Sequence, residues 1–439
     1  MTSREVVEPR REVGLLDLVF LSLGGQSPFL SVLVYGVATF MIAGYFAPIA
    51  IVLGTLLVLV NGLVVYRLSV RFTSEGGYYT YAYYSLSRRL GFETGWAYLL
   101  YASFYGAAYA LGSAYVISLV LHYNPLAVLS AILLVSSLLA LSGKRPSFRY
   151  AIFAAALEIA VMAILAVSFL AATKFTLYNP LSRLPDISQM ALAAVFGAGI
   201  PTGYGSITPL SGEVKDPRRT VPRAVITVIL MGGLLAAFDI YAIVDHLLFY
   251  HLNPTGVEIL SLIKDEFGVV TLLLVLFAAI NDGILATMTF MFATSRTIFA
   301  MAYHGFFPRA MAKLVNGSEP FNAVAVTVAA YWIISYSSLA VLGYDLQRAF
   351  IAVSLISMFA NLYVHLAADF SLFKISLKRF RKRIPEISLS IASIVFTTYI
   401  FVQSLPSSTS TALTIFLFWL VLGFFIVEII EMSKEEEEE

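Results

Sequence analysis

Long apolar runs alternate with short polar connections along most of the chain. Twelve runs approach or exceed the ~20 residues that a helix needs to cross a bilayer. They fall at roughly 15–44, 46–70, 90–121, 125–142, 148–173, 188–211, 222–249, 268–302, 321–342, 346–370, 386–404 and 409–431, and are numbered helices 1–12 in chain order. Several are longer than one crossing, which predicts tilt or extension into water. Two runs are interrupted near the middle by glycine, proline and small polar residues. Helix 1 breaks at Ser22-Leu23-Gly24-Gly25-Gln26-Ser27-Pro28-Phe29, and helix 6 at Phe196-Gly197-Ala198-Gly199-Ile200-Pro201-Thr202-Gly203-Tyr204-Gly205. Lipid cannot satisfy unpaired backbone groups, so such breaks survive only where protein or a wet cavity surrounds them. One in each half of the chain predicts a binding site between the halves.

Composition agrees with this pattern. The 439 residues are 59% hydrophobic and only 13% charged, with a mean hydropathy of +0.85. Soluble proteins are about a quarter charged. The runs are far longer than the ~10 residues of a spanning strand, so a helical membrane protein is expected rather than a β-barrel. There is no cysteine, which removes disulfides, thiolate catalysis and Cys-ligated metals. His122, His246, His251, His304 and His365 are scattered without ligand spacing. No metal or organic cofactor is expected. A net charge of +1 gives no reason to expect a nucleic-acid partner.

Basic residues sort by loop. With the N-terminus in the cytoplasm, 24 of the 28 Lys and Arg fall inside, and only Lys174, Arg183, Lys264 and Arg348 fall outside. A wrong helix count would scramble this asymmetry. Both termini are therefore expected in the cytoplasm, with the chain in the cell membrane. Thiols placed at Asn253 and Ser408 would then be reached from outside, and one at Ser147 from inside. The long connections 71–89 and 250–267 follow helices 2 and 7 on opposite faces, as an inverted five-plus-five repeat predicts. The expected organisation is a cytoplasmic segment 1–14, a first repeat 15–173, a second repeat 188–370, two further helices within 386–431, and an acidic cytoplasmic tail 432–439 whose run Glu435–Glu439 is solvated and disordered.

The breaks suggest chemistry. A helix N-terminus at bilayer depth presents N–H groups and a partial positive charge, and a C-terminus presents carbonyls. Two crossing breaks would cradle a zwitterion. Its carboxylate would sit at N–H groups near Gln26, Ser27 and Pro28, and its ammonium at carbonyls near Ser22, Leu23, Gly24 and Phe196, Gly197, Ala198. Gly25, Gly199, Thr202, Gly203 and Tyr204 complete the candidate site. Helix 3 carries a stripe, Tyr98, Tyr101, Tyr105 and Tyr109, at helical spacing. Tyr105 is its candidate substrate contact.

Several segments resemble the amino acid–polyamine–organocation (APC) superfamily in order along the chain. They are Glu75-Gly76-Gly77-Tyr78-Tyr79-Thr80-Tyr81, Gly91-Phe92-Glu93-Thr94-Gly95-Trp96, the loop Leu210 to Ala224 with Glu213 and Asp216-Pro217-Arg218-Arg219, and Ser295-Arg296 through Pro308. The resemblance implies an all-α integral membrane protein of five-plus-five inverted-repeat fold with broken helices 1 and 6. It also implies transport of amino acids or related amines. At the core the chain departs from that family. Gly25-Gln26-Ser27 stands for its Gly-x-Gly, and Gly203-Tyr204-Gly205 for its Gly-aromatic-Glu. Phe196 or Tyr204 would replace its aromatic gate.

Glu158, Asp239, Asp245, Asp282 and Asp369 lie within apolar runs, where an acid is costly and by default functional. Proton-coupled members of the superfamily place a lysine in helix 5 where others bind sodium. Glu158 lies at about that position, and Thr287 and Thr289 would supply hydroxyls nearby. Glu158 is thus a candidate proton carrier or sodium ligand, with Asp282 two turns outward from Thr289 toward an outer vestibule. The expected function is secondary active transport of neutral amino acids, coupled to H+ or Na+ or by exchange, since no acid adjoins either break in sequence. Polyamines or cationic amino acids are the alternative substrates, and a sensor on the same fold the alternative role. Catalysis is not expected, because the deep acids are dispersed. No nucleotide-binding loop of the Gly-x-x-x-x-Gly-Lys-Ser/Thr type occurs.

Overall fold

The computed structural model describes residues 9–252, 258–405 and 410–438, almost all of them helical. Among these residues no strand forms, and Val13–Val214 and Val315–Glu319 are isolated bridges. The passes are α1 (Leu15–Gln26, continued as 28–43), α2 (Ala47–Ser69), α3 (Arg88–Leu121), α4 (Pro125–Leu141), α5 (Lys144–Ala172), α6 (Ile187–Ala198, continued as Tyr204–Glu213), α7 (Pro217–Phe249), α8 (within Glu258–Tyr303), α9 (Phe321–Val341), α10 (Leu346–Leu377), α11 (Ile384–Ser404) and α12 (Ser410–Glu438).

Nine described helices are long and apolar enough to cross a membrane, with α1 and α2 taken together as one 55-residue stretch. A straight helix of that length would be about 80 Å, far more than the ~30 Å hydrocarbon layer. The stretch turns at Gly44 (φ 51°, ψ −119°). Its two arms run in opposite directions along α7. Gln26 abuts Gly232 and Gly36 abuts Ile240, whereas Thr55 abuts Gly233 and Gly62 abuts Ile229. Counting the arms separately and adding α4 and α6, both short and apolar, gives the twelve expected passes.

Contacts between connections assign them to two faces. On one face Arg71 pairs with Glu386 (2.7 Å), Arg88 with Glu431 (3.0 Å) and Arg145 with Glu12 (3.4 Å). On the other, Tyr178 O–H donates to the Tyr45 carbonyl (3.2 Å), Tyr241 O–H to the Tyr178 carbonyl (3.0 Å), and Tyr178 N–H to Asp245 (2.9 Å). This alternation requires an even number of passes. It also makes α1 and α6 antiparallel, so the two broken helices enter from opposite faces.

The basic face is closed by a buried charge network. Arg296, 0% exposed, donates to Glu213 (2.7 Å) and Glu319 (2.6 Å), and Lys144 Nζ reaches Glu213 at 3.1 Å. The Lys144 backbone N–H also meets Glu319 (3.0 Å). The segment before α1 is tied in, since Glu12 and Val13 N–H donate to the Glu213 carbonyl and Lys215 N–H to the Val13 carbonyl. Four elements distant in sequence are thereby fastened at one point.

Four expectations are revised. Residues 258–267 are helical rather than loop, with the kink into α8 at Gly268 (φ 83°). The acidic tail continues α12 as helix to Glu438, because glutamate is a good helix former once a helix is nucleated. Tyrosines flanking an apolar run are expected to pack at the membrane interface, but Tyr78, Tyr79 and Tyr81 do not sit there. They are buried, because the helix Tyr78–Ser85 tucks against α3 and α10 after a turn at Gly76 and Gly77 (φ 95° and 51°). Ser147 is buried and bonded to the Leu139 and Gly143 carbonyls, so a thiol there would be shielded. Asn253, Ser408 and residues 1–8 lie outside the described residues.

Two outcomes follow. Single cysteines at the exposed positions Asn124 and Ser182 should react with an impermeant maleimide from one side of the membrane, and one at Asn316 only from the other. Labelling of all three from one side would refute the threading. Arg296→Met should cost about 3–5 kcal/mol, the usual penalty for leaving a buried charge unpaired. Unfolding in detergent would measure this, and adding Glu213→Gln and Glu319→Gln should restore part of the loss. A single variant as stable as the parent would show that the network does not hold the face.

Candidate functional site

The first arm of α1 ends at Gln26, and Ser27 adopts a left-handed conformation (φ 47°, ψ 69°) with Pro28 opening the second arm. Proline suits a first helical position because it has no N–H to leave unpaired. The next donors are not free. Phe29 N–H donates to Glu158 Oε1 (3.3 Å) and Leu30 N–H to Asp282 Oδ2 (2.6 Å). Glu158 Oε2 accepts from Asn281 Nδ2 (3.0 Å). Two carboxyls, from α5 and α8, thus cap the second arm. Both are essentially unexposed. Asp282 Oδ1 accepts no hydrogen bond from an N–H or hydroxyl donor, and the Asp282 and Glu158 carboxyls face one another.

The break in α6 meets the break in α1. Gly203 has φ 87°, and a Cβ there would lie 2.7 Å from the Gly25 carbonyl oxygen and 3.2 Å from the Tyr105 hydroxyl. Only glycine combines that conformation with that approach. Gln26 Nε2 donates to the Pro201 carbonyl (3.1 Å), and Thr202 Oγ1 to the Gly199 carbonyl (2.8 Å). Behind the crossing, the α3 tyrosines form a ladder with ring centroids 5.6 Å (Tyr98–Tyr101), 5.7 Å (Tyr101–Tyr105) and 4.8 Å (Tyr105–Tyr109) apart. The Tyr109 hydroxyl shares a hydrogen bond with Ser31 Oγ (3.0 Å). Ser22 Oγ, Ser206 Oγ and Gln26 Oε1 are buried without partners.

The candidate residues separate into those that meet and those that do not. Ser22, Leu23, Gly24, Gly25, Gln26, Ser27 and Pro28 are buried, as are Gly197, Ala198, Gly203 and Tyr204. Gly199 packs against the Tyr35 ring. Phe196 is 37% exposed, so its side chain faces outward rather than gating the site. Its carbonyl accepts the Gly199 N–H (2.9 Å) and the Gly197 carbonyl accepts Ile200 N–H (3.2 Å). Of the coupling candidates, Glu158 and Asp282 come together, whereas the threonines part. Thr289 Oγ1 donates to the Leu21 carbonyl on α1 (3.0 Å) and Thr287 Oγ1 to Gly106 on α3 (2.9 Å). Two positions apart on a helix point in different directions. Asp282 is buried at the break instead of lining an outer vestibule. Asp245 holds Thr173 Oγ1 (2.6 Å) and Tyr178 N–H, a structural role. Asp239 has no partner and lines, with Phe29 and Phe169, an apolar cavity of about 30 Å³. Asn281 escaped the sequence reading, although an Asn-Asp pair inside an apolar run is a visible signal.

The architecture is a multi-pass helical protein with two crossing broken helices and buried acids at the break. The chain belongs to the amino acid permease family, whose model matches residues 17–434. It is 25% identical over 253 residues to the low-affinity putrescine importer PlaP of Escherichia coli, covering 55% of this chain and 54% of that one. It is 28% identical over 246 residues to the uncharacterized transporter Mb2022c of Mycobacterium bovis, covering 54% and 52%. The chain thus aligns with about half the length of these relatives. A manganese transporter of Eremococcus coleocola (mutant H236A) shares the fold, with a TM-score of 0.61 over 98% of both chains at 13% identity.

Gly203→Ala should separate the two breaks. The strained conformation alone costs about 1–2 kcal/mol, and the Cβ would displace the Gly25 carbonyl. The variant is expected to purify as a monodisperse protein yet lose most substrate binding, measured by isothermal titration. Parental affinity would mean that the crossing does not shape the site.

Proposed function

We propose that this permease is a proton-coupled secondary transporter whose substrate is held at the α1 break by an ammonium group. The observation that carries the reading is the occupation of the Phe29 and Leu30 N–H groups by Glu158 and Asp282. Those donors would have held a substrate carboxylate. With them engaged, the break offers acceptors, namely Asp282 Oδ1, Gln26 Oε1 and the hydroxyls of Ser22 and Ser206. Acceptors beside two carboxyls select an organic cation. This puts polyamines and cationic amino acids ahead of the neutral amino acids expected from sequence, since folding brings acids from α5 and α8 to a break that has none beside it in sequence. The likeness to a putrescine importer points the same way, putrescine being a diamine.

Two adjacent buried carboxyls cannot both stay charged without a compensating positive charge. In this reading Glu158 and Asp282, whose carboxyls contact one another, share one proton. The single negative charge left on the pair receives the ammonium. The basic face is cytoplasmic by the positive-inside rule, and the two halves, 15–173 and 188–370, rock about the crossing.

The test is uptake into proteoliposomes of putrescine, lysine and leucine under imposed proton or sodium gradients. Putrescine or lysine should accumulate with an inward proton gradient, and leucine should not. Glu158→Gln, which mimics the protonated acid, should keep exchange and lose pH-driven accumulation. Asp282→Asn should lose substrate binding. Leucine transport that survives Asp282→Asn would overturn the assignment, and sodium-driven uptake abolished by Thr289→Ala would replace the proton with sodium.

A further inference from the structure

A second polar cluster lies between α2, α10 and α11. Asn61, Asp369, Ser393 and Thr397 are 8%, 1%, 0% and 0% exposed. Ser393 Oγ donates to Asn61 Oδ1 (2.6 Å), and Asn61 Nδ2 donates to Thr397 Oγ1 (3.2 Å). Ser393 and Thr397 face the Asp369 carboxyl, yet neither carboxyl oxygen receives a well-formed hydrogen bond. Among the described residues, no lysine or arginine pairs with either oxygen. His365, one turn earlier on α10, packs against the Tyr78 and Tyr204 rings (centroids at 5.3 and 5.7 Å), and its Nδ1 is unpartnered.

A carboxylate in an apolar interior is costly unless a positive charge meets it. The polar groups recorded facing Asp369 are the Ser393 and Thr397 hydroxyls, and Asn61 bonds to both. The Ser393 hydroxyl proton is directed to Asn61, which leaves the Ser393 lone pairs available. Thr397 Oγ1 and Asn61 Oδ1 each retain acceptor capacity beyond their one hydrogen bond. Carboxylate, amide carbonyl and hydroxyl oxygens are the ligands that hard cations take. A single carboxylate among neutral oxygens matches a single positive charge, whereas Ca²⁺ sites gather several acids.

We propose that Asn61, Asp369, Ser393 and Thr397 form a binding site for Na+. It is separate from the carboxyl pair at the α1 break and does not depend on the substrate assigned there. The ion joins α11, which lies outside the paired halves, to α2 and α10. Tyr204, where α6 resumes after its break, packs on His365, one turn before Asp369 on α10. Occupancy is therefore sensed where the inner arm of α6 begins, which makes the site a regulator of that arm's position.

The experiment uses the purified full chain in detergent, with NaCl replaced by choline chloride at constant ionic strength. Thermal unfolding and binding of radiolabelled sodium are read together. The parent should show a saturable Na+-specific rise in Tm and saturable sodium binding. Both should be absent in Asp369→Asn and weakened to higher sodium concentration in Ser393→Ala, the milder change that serves if Asp369→Asn does not fold. Both should persist in Glu158→Gln and Thr289→Ala. A parent without a sodium-specific response overturns the site. So does a response that survives Asp369→Asn, is unmoved by Ser393→Ala, or disappears in Thr289→Ala.

Discussion

The start of the second arm of α1 is the constraint around which the rest of the molecule is arranged. A helix that begins at bilayer depth presents donors that lipid cannot meet. Pro28 removes one donor by having none, and the next two are met by acids from α5 and α8. For Glu158 and Asp282 to reach adjacent N–H groups, both helices must cross α1 at the same height. The arm's dipole favours negative charge there, but amounts to only about half a charge. Two carboxyls exceed it, so the cap is electrically complete only with a proton or an ammonium present. On the proposed reading, the element that makes the break tolerable in lipid is also its cation site.

Close backbone approach is the second requirement. Gly54 on α2 lies against the Ala198 N–H, Gly232 on α7 against Gln26 Oε1, and Gly203 against the Gly25 carbonyl. At each place a Cβ would come closer than packed atoms tolerate. These glycines bring backbone carbonyls and amides within reach of one another across the crossing, which is how Gln26 finds the Pro201 carbonyl. They also couple the helices mechanically. A rotation of α6 about its break presses directly on α1, because Gly203 meets the Gly25 carbonyl with no side chain of its own to yield.

The pass count, the two breaks and the division into faces were legible because each rests on local chemistry: apolar run length, glycine and proline placement, and loop charge. What escaped depends on rotation about helix axes. Glu158 and Asp282 are 124 positions apart, and nothing in their neighbourhoods announces that both point at Phe29 and Leu30. Thr287 and Thr289 looked equivalent in sequence and face α3 and α1. Glu213 was noticed within a loop motif rich in Lys215, Arg218 and Arg219, yet it pairs with Lys144 and Arg296 from other helices. A nearby basic residue in sequence is a weak guide to partners when the carboxyl is buried and its neighbours are at the surface. Phe196 was a gate candidate only through the family resemblance, and the helix turns it outward.

The two charged centres differ in balance, and the difference has a mechanical meaning. At the basic face two cations meet two anions, so the network is internally compensated. Burying such a group gains little, because desolvation offsets most of the attraction. By the same reasoning, opening that face costs little once water returns to Lys144, Glu213 and Arg296. The network therefore specifies one closed arrangement without making it deep. The break in α1 is the opposite case. It buries two acids that pair with no basic residue among the described residues, so its energy depends strongly on whether a cation is present. A ligand shifts a two-state protein only by its differential affinity, and about 5.5 kcal/mol moves the balance from one part in a hundred to ninety-nine. A shallow lock at one face and a charge-hungry site at the midplane place that leverage at the break.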